Sequence, residues 1–133
     1  MVGSALVRRL KVQGYEKLVI RSSLELDLTR QSEVDQFMQE VQPEVRFIAA
    51  ARVGGIMANN TYRAEFIYTN TMIEANIINS AWQAEVEKLV FFFSSYVYPR
   101  DSPQPMTEEC LWTGKLEQTN KPYAVAKLSG MAM

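Results

Sequence analysis

The chain has no histidine and a single cysteine, Cys110. The commonest general acid/base and the commonest metal ligand are therefore missing. A lone cysteine excludes an internal disulfide and, without histidine, a structural zinc site, so no metal is expected. Such cysteine usage fits a reducing compartment, and a cytoplasmic protein is expected. Charge of one sign is also missing: 14 Lys and Arg face 15 Asp and Glu, a net charge of -1. That balance leaves no basic stripe for nucleic acid. No apolar run approaches the roughly 20 residues of a membrane helix, so no membrane partner is expected. In the opening "MVGSALVRRL" the arginines follow the apolar residues, which is not a signal-peptide pattern. Asn59-Asn60-Thr61 matches a glycosylation sequon, but without a secretion signal it is read as unused. There are no repeats, low-complexity tracts or linkers.

What is present is one domain's worth of alternating patterns. Residues 4–13 read as a helix with Leu6, Val7 and Leu10 on one side, ended by Gly14. "KLVIRSS" reads as a short buried strand. Asp27 or Thr29 is the expected cap of a second helix, where Val34, Phe37, Met38 and Val41 fall at helical spacing before Pro43. "VRFIAAA" reads as a second strand and "RVGGIMANN" as a loop. A long helix is expected over 61–84, with Tyr62, Phe66, Ile73, Ile77 and Trp82 along one stripe. "EKLVFFFSS" is a third strand. A loop containing Pro99, Pro103 and Pro105 leads to a last helix from Pro122, a favoured first-turn residue. Alternating helices and strands give an α/β class with a parallel sheet. The pattern opens on a helix, whereas a doubly wound sheet opens on its central strand. "MVGSA" looks like the tail of a glycine-rich turn. The sheet is thus expected to be incomplete, a partial dinucleotide-binding domain over 1–133 with unpaired strand neighbours.

Four elements can carry chemistry. Tyr123 and Lys127 stand four apart on one helix face, where a lysine can lower a phenol's pKa. With six tyrosines in the chain such a pair is close to chance, and an exposed lysine beside a half-buried tyrosine reads equally well. Ser94 and Ser95 end an apolar strand, the end at which open α/β sheets bind ligands; a plain serine turn is the alternative. Gly3 before a helix suits the last glycine of a phosphate-binding turn. Arg21, Ser22 and Ser23 follow the strand with no acid among them, which leans toward a 2′-phosphate and NADP(H).

Together these elements resemble the extended short-chain dehydrogenase/reductases, and within them most closely the GDP-L-fucose synthase family. The likeness is carried by "MVGSA", "AAARVGGIMANNTYRAEFIYTN", "SSYVYP", "QPMTEE" and "LEQTNKPYAVAK", in that order, with Tyr123 set 29 residues after Ser94. It implies a Rossmann-type sheet and NADPH-dependent reduction and epimerisation of GDP-4-keto-6-deoxymannose. By the same resemblance Tyr123 is the general acid, Lys127 lowers its pKa and binds the nicotinamide ribose, and Ser94 holds the C4 oxygen. Met1, Val2 and Gly3 close the pyrophosphate turn. Arg21, Ser23, Asp27 and Leu28 border the adenosine end, with Ala49, Ala50, Phe92, Phe93, Ser94 and Ser95 along the cofactor groove. Val53, Gly54 and Gly55 lie near the sugar. Helices 61–84 and 122–133 pair with their copies in a homodimer, although their apolar stripes suit core packing equally.

The chain departs from that family at several positions. The first strand and the substrate-binding C-terminal region have no counterpart in these residues. Phe93 stands in place of a glycine, where a phenyl group crowds the nicotinamide, and Tyr96 in place of a cysteine used with a histidine in epimerisation. Ser23 replaces an arginine. The reduction apparatus is represented and the epimerisation apparatus is not. The chain alone is expected to be inactive and, with "LVFFF" in an incomplete sheet, poorly soluble. The alternative reading is a non-catalytic nucleotide-binding or dimerising module of the same descent; an unrelated small α/β domain leaves the serine–tyrosine–lysine spacing unexplained.

Overall fold

The computed structural model describes residues 1–133. Five helices and a two-stranded parallel sheet make up the chain, in the order α1 (Val2–Val12), α2 (Gln31–Val41), β1 (Val45–Ile48), α3 (Ile56–Thr61), α4 (Arg63–Gln83), β2 (Lys88–Phe91) and α5 (Lys121–Ala132). Short 3₁₀ turns lie at Ser95–Val97 and Glu108–Cys110. The strands pair in register from Val45 opposite Lys88 to Ile48 opposite Phe91. Because they run parallel, Ala49–Ala51 and Phe92–Ser95 leave the sheet at the same end. Parallel strands need a crossover, and α3 and α4 supply it.

The core sits between α2, the sheet and α4. Val34 and Met38, one turn apart on α2, meet Ile48 of β1 and Ile73, Ile77 and Ala81 of α4. Leu28, Ala50, Val86, Leu89 and Phe91 close around them. Helix α2 ends as Pro43 requires: Gln42 leaves the helical region for φ 45°, since the residue before proline is held out of it. Along α5 most of the buried residues are small or apolar, Lys127 being the charged exception, and Ala124, Ala126 and Gly130 let the helix lie close against α4.

Polar side chains join α4 to the segments around it. Asn76 Nδ2 donates to the Leu28 carbonyl at 3.0 Å. Asn70 donates to the Arg52 carbonyl at 3.0 Å and accepts from the Arg52 N–H at 2.8 Å. The Ser80 hydroxyl donates to Asp35 of α2. Buried polar atoms must be hydrogen-bonded, and here the partners are distant in sequence.

Several expectations are corrected. "KLVIRSS" is not a strand. Val19 and Ile20 are exposed at 51% and 54%, and no ladder bond reaches them. A strand exists only against a partner edge; β1 is paired on one side by β2 and the 17–23 segment does not join it. Helix α1 forms and stops before Gly14 at φ 86°, yet buries no residue. The cap of α2 is Arg30 rather than Asp27 or Thr29, because Asp27 is turned to the N–H and hydroxyl of Thr29. The loop "RVGGIMANN" contains α3. Trp82 is 76% exposed, since five residues on from Ile77 is the wrong side of a 3.6-residue helix; Ala81 takes the buried place. Tyr62 precedes α4 and does not share its face. No helix is long and apolar enough to cross a membrane.

Met38→Ala should remove the filling between α2 and α4 and cost about 2–5 kcal/mol. Val12→Ala, on the exposed end of α1, should stay within about 0.5 kcal/mol of the parent. Urea denaturation midpoints of the two variants check this.

Candidate functional site

The sheet end that carries Ala49 and Ser94 collects most of the residues singled out above. Helix α1 begins beside it: a side-chain carbon on Gly3 would lie 3.6 Å from the Ala49 Cβ. Met1 and Val2 are exposed there, and the α1 N-terminus has no side-chain cap and no acid in its first turn. Its free N–H groups and positive dipole end suit an anion. Beyond β1, the "VGG" loop is clamped. Asn59 Nδ2 donates to the carbonyls of Gly54 (2.9 Å) and Gly55 (3.3 Å), while Asn70 brackets Arg52. A side chain at Gly54 would meet the Phe66 ring at 3.0 Å and Ala58 at 3.1 Å, so the loop lies flat on α3 and α4 because position 54 is glycine. Val53 points to solvent at 72% exposure.

The adenosine-side residues lie in an exposed turn. Arg21 NH1 donates to the Ile20 carbonyl at 3.0 Å, and its guanidinium stands 5.5 Å over the Phe37 ring. Ser23 is exposed. The Asp27 carboxylate accepts from Thr29, and those bonds hold its pKa below the usual value, with a smaller pull from Arg30. Leu28 is the fixed point of this stretch, tied to Asn76.

After β2, Phe92 is half-buried and Phe93 is 41% exposed, packed edge-on to Phe91 with centroids 4.7 Å apart. Ser94 caps the 95–97 turn: its Oγ accepts from the Tyr96 N–H at 3.3 Å. The hydroxyl proton stays free to donate to a ligand oxygen. Ser95 is exposed. Helix α5, which carries Tyr123 and Lys127, packs on that same turn and on α4.

Lys127 is not the exposed lysine of an ordinary amphipathic helix; it is 2% exposed. Its Nζ lies 4.4 Å from the Phe91 ring centroid and 5.9 Å from that of Tyr123. The nearest charge is Glu74 of α4, with Oε1 at 2.9 Å and both side chains all but sealed from water. Beyond that ion pair, neither Glu74 oxygen has a hydrogen-bonding partner. Burial pushes the Glu74 carboxyl up, and Lys127 pulls it only part of the way back. Tyr123 is half-buried, and burial first and the Glu74 charge second push its phenol above the ordinary value. The expected lowering by Lys127 does not occur in this structure: burial, and then the Glu74 charge, push the phenol the other way.

Sequence reasoning missed Glu74, Asn70 and Asn59. The signal was there in part. Phe66, Asn70 and Glu74 step by four along α4, so two polar residues continue an apolar row.

A proton held more tightly in the folded chain fixes the sign of a pH effect. The stability contributed by the Tyr123 phenol is whole below its ordinary pKa of 10.0 and is lost as pH rises through the folded value. Tyr123→Phe has no such proton. From about pH 8 to about 11, the parent should lose stability that the variant keeps, with the gap opening only above about 10; paired urea midpoints along the series measure it.

Comparison with known proteins places these features. Residues 1–133 match the NAD dependent epimerase/dehydratase family. The chain is 50% identical over 131 residues to GDP-L-fucose synthase 1 of Arabidopsis thaliana, covering 98% of this chain and 41% of that protein. It is 49% identical over 133 residues to GDP-L-fucose synthase of Escherichia coli strain K12, covering 100% and 41%. Among solved structures it superposes with TM-score 0.94 and 41% identity on MlghC, a GDP-mannoheptose C4 reductase from Campylobacter jejuni with NADP bound, covering 98% and 41%. The chain thus spans about two-fifths of the length of the relatives it matches.

Proposed function

The chain belongs to the NAD dependent epimerase/dehydratase family, and on that premise we propose that it is the cofactor-binding part of an NADPH-dependent GDP-L-fucose synthase. The substrate of such an enzyme is GDP-4-keto-6-deoxymannose. The observation that carries the reading is the packing of α5, the helix that bears Tyr123 and Lys127, on the 95–97 turn that Ser94 caps just past β2. The likeness to GDP-L-fucose synthases runs through both.

The residues fit NADPH. The α1 N-terminus offers unpaired N–H groups to a pyrophosphate, Ala49 and Ala50 keep the strand end narrow, and Arg21 supplies a cation for the 2′-phosphate. When bound, NADPH supplies the hydride that reduces a C4 ketone. Ser94 donates a hydrogen bond to the C4 oxygen and polarises it. Tyr123 gives that oxygen its phenolic proton. Lys127 has N–H groups beyond the one facing Glu74, and these serve the ribose hydroxyls and the phenol. Val53, Gly54 and Gly55 form the floor on the sugar side. Exposed aromatic surface on α4, at Tyr68 and Trp82, and Val125 on α5 support pairing of these helices with a second copy.

Two observations favour a second reading, a non-catalytic nucleotide-binding or dimerising module: Lys127 is paired with Glu74, and the phenol is pushed up rather than down.

Calorimetric titration of the chain tests cofactor binding, which a purely dimerising module lacks. NADPH should bind more tightly than NADH, and Arg21→Ala, at an exposed residue, should weaken NADPH about tenfold or more with little effect on NADH, the worth of a charge-assisted bond to phosphate. With GDP-4-keto-6-deoxymannose added, the chain alone should oxidise no NADPH. Absence of cofactor binding would leave the module reading; turnover would overturn the expectation of inactivity.

A further inference from the structure

Glu74 has no part in the chemistry just described, yet it is one of the most deeply buried side chains in the protein, 1% exposed. A carboxylate held out of water by a single ion pair is costly, and apolar residues at both 74 and 127 would fill the interface without that cost. The fold nevertheless makes room for it. A side-chain carbon on Gly130 would fall 2.8 Å from Glu74 Oε2 and 2.8 Å from the Phe91 ring, so only glycine admits both. Lys127 Nζ is held from two sides, by Oε1 at 2.9 Å and by the face of Phe91 at 4.4 Å.

We propose that Glu74 is a positioning residue for the Tyr123–Lys127 pair: it anchors the Lys127 ammonium across the α4–α5 interface, with Gly130 making room for its second oxygen, and so sets how much positive charge reaches the Tyr123 phenol. This rests on the reading of Tyr123 as the proton donor. The charged groups around the phenol are few. Helix α5 offers Lys127 and α4 offers Glu74; the 95–97 turn carries Tyr96 and no charged side chain, and β2 presents the Phe91 ring. Glu74 therefore acts on the phenol in two ways: its own negative charge opposes ionisation, as burial does, and its hold on the ammonium fixes how far Lys127 can favour it.

The test is a pH titration of tyrosine followed by NMR on the 133-residue chain labelled at tyrosine ¹³Cζ, with the Tyr123 signal identified by its loss in Tyr123→Phe. Glu74→Gln keeps the volume and removes the charge, so Tyr123 should titrate at lower pH. Glu74→Asp keeps the charge and should move the titration back toward the parent. A Glu74 that is only structural would lower the melting temperature in Glu74→Gln and leave the Tyr123 titration where it was, or higher; either result overturns the proposal. Should Glu74→Gln fail to fold, Glu74→Gln combined with Lys127→Met removes both charges together. That double variant should melt about 10 °C or more above Lys127→Met alone, because the single variant strands a buried carboxylate. Equal melting of the two would sink the proposal. The titration needs no cofactor, so it and NADPH binding can fail independently. Binding without the shift removes the role of Glu74, and the shift without binding removes the dehydrogenase reading.

Discussion

The contact between Lys127 and Glu74 constrains the rest of this chain. Two opposite charges placed out of water each lose several kcal/mol of solvation, and only close, fixed geometry offsets that loss. Every neighbour of the pair is shaped by the requirement. Gly130 has no side chain, so the carboxylate can enter. Phe91 turns its ring to the ammonium, giving it the one favourable apolar surface a cation can use. Ala124 and Ala126 bring α5 close enough to α4 for a lysine to reach across. A single charged residue stranded in this interface would be strongly destabilising, so the two helices are committed to each other.

Helix α4 extends the same logic along its length. It is buried, but its buried face is unusually polar: Asn70, Glu74, Asn76 and Ser80 stand among Phe66, Ile73, Ile77 and Ala81. Each polar residue reaches a different part of the chain. Asn70 fixes Arg52 ahead of the glycine loop, Glu74 fixes Lys127, Asn76 fixes Leu28, and Ser80 fixes Asp35. Apolar burial gives the helix its place, whereas the hydrogen bonds choose what may lie against it. The sheet is small, two strands of four residues, so α4 rather than the sheet carries the segments that surround the site.

Much of this was legible in the sequence, and the boundary has a physical cause. Helical spacing from Val34 to Val41 and over 61–84 marked the helices observed as α2 and α4, because period and length are local properties. The apolar runs around Phe47 and Val90 became the two paired strands. The equally apolar 17–23 segment did not, because composition cannot tell whether a partner edge will be there. Ser94, Tyr123 and Lys127 were singled out by a strand end, a four-residue spacing and the family resemblance together, and the structure packs α5 against the 95–97 turn. The pairing of Lys127 was hidden, since Glu74 lies far from it in sequence and reads as an ordinary helix residue. The row Phe66, Asn70, Glu74 held the only local hint. Trp82 misled for the opposite reason: its size suggested the core, while helical geometry put it in water.

A proton donor near neutral pH needs positive charge beside its phenol, and the structure sets a carboxylate against that charge. The two are compatible if Glu74 fixes where the ammonium sits while its remaining N–H groups meet other acceptors. An ammonium on a flexible four-carbon stem is poorly placed unless something holds it. The aromatic stack adds to the hold. Phe93 packs edge-on against Phe91, and Phe91 in turn covers Lys127, so the exposed ring is coupled to the lysine. A ring at 93 steadies the ring that steadies the cation, and it does so from a side chain still 41% exposed. One aromatic pair thus links the exposed end of the strand to the buried charge on α5.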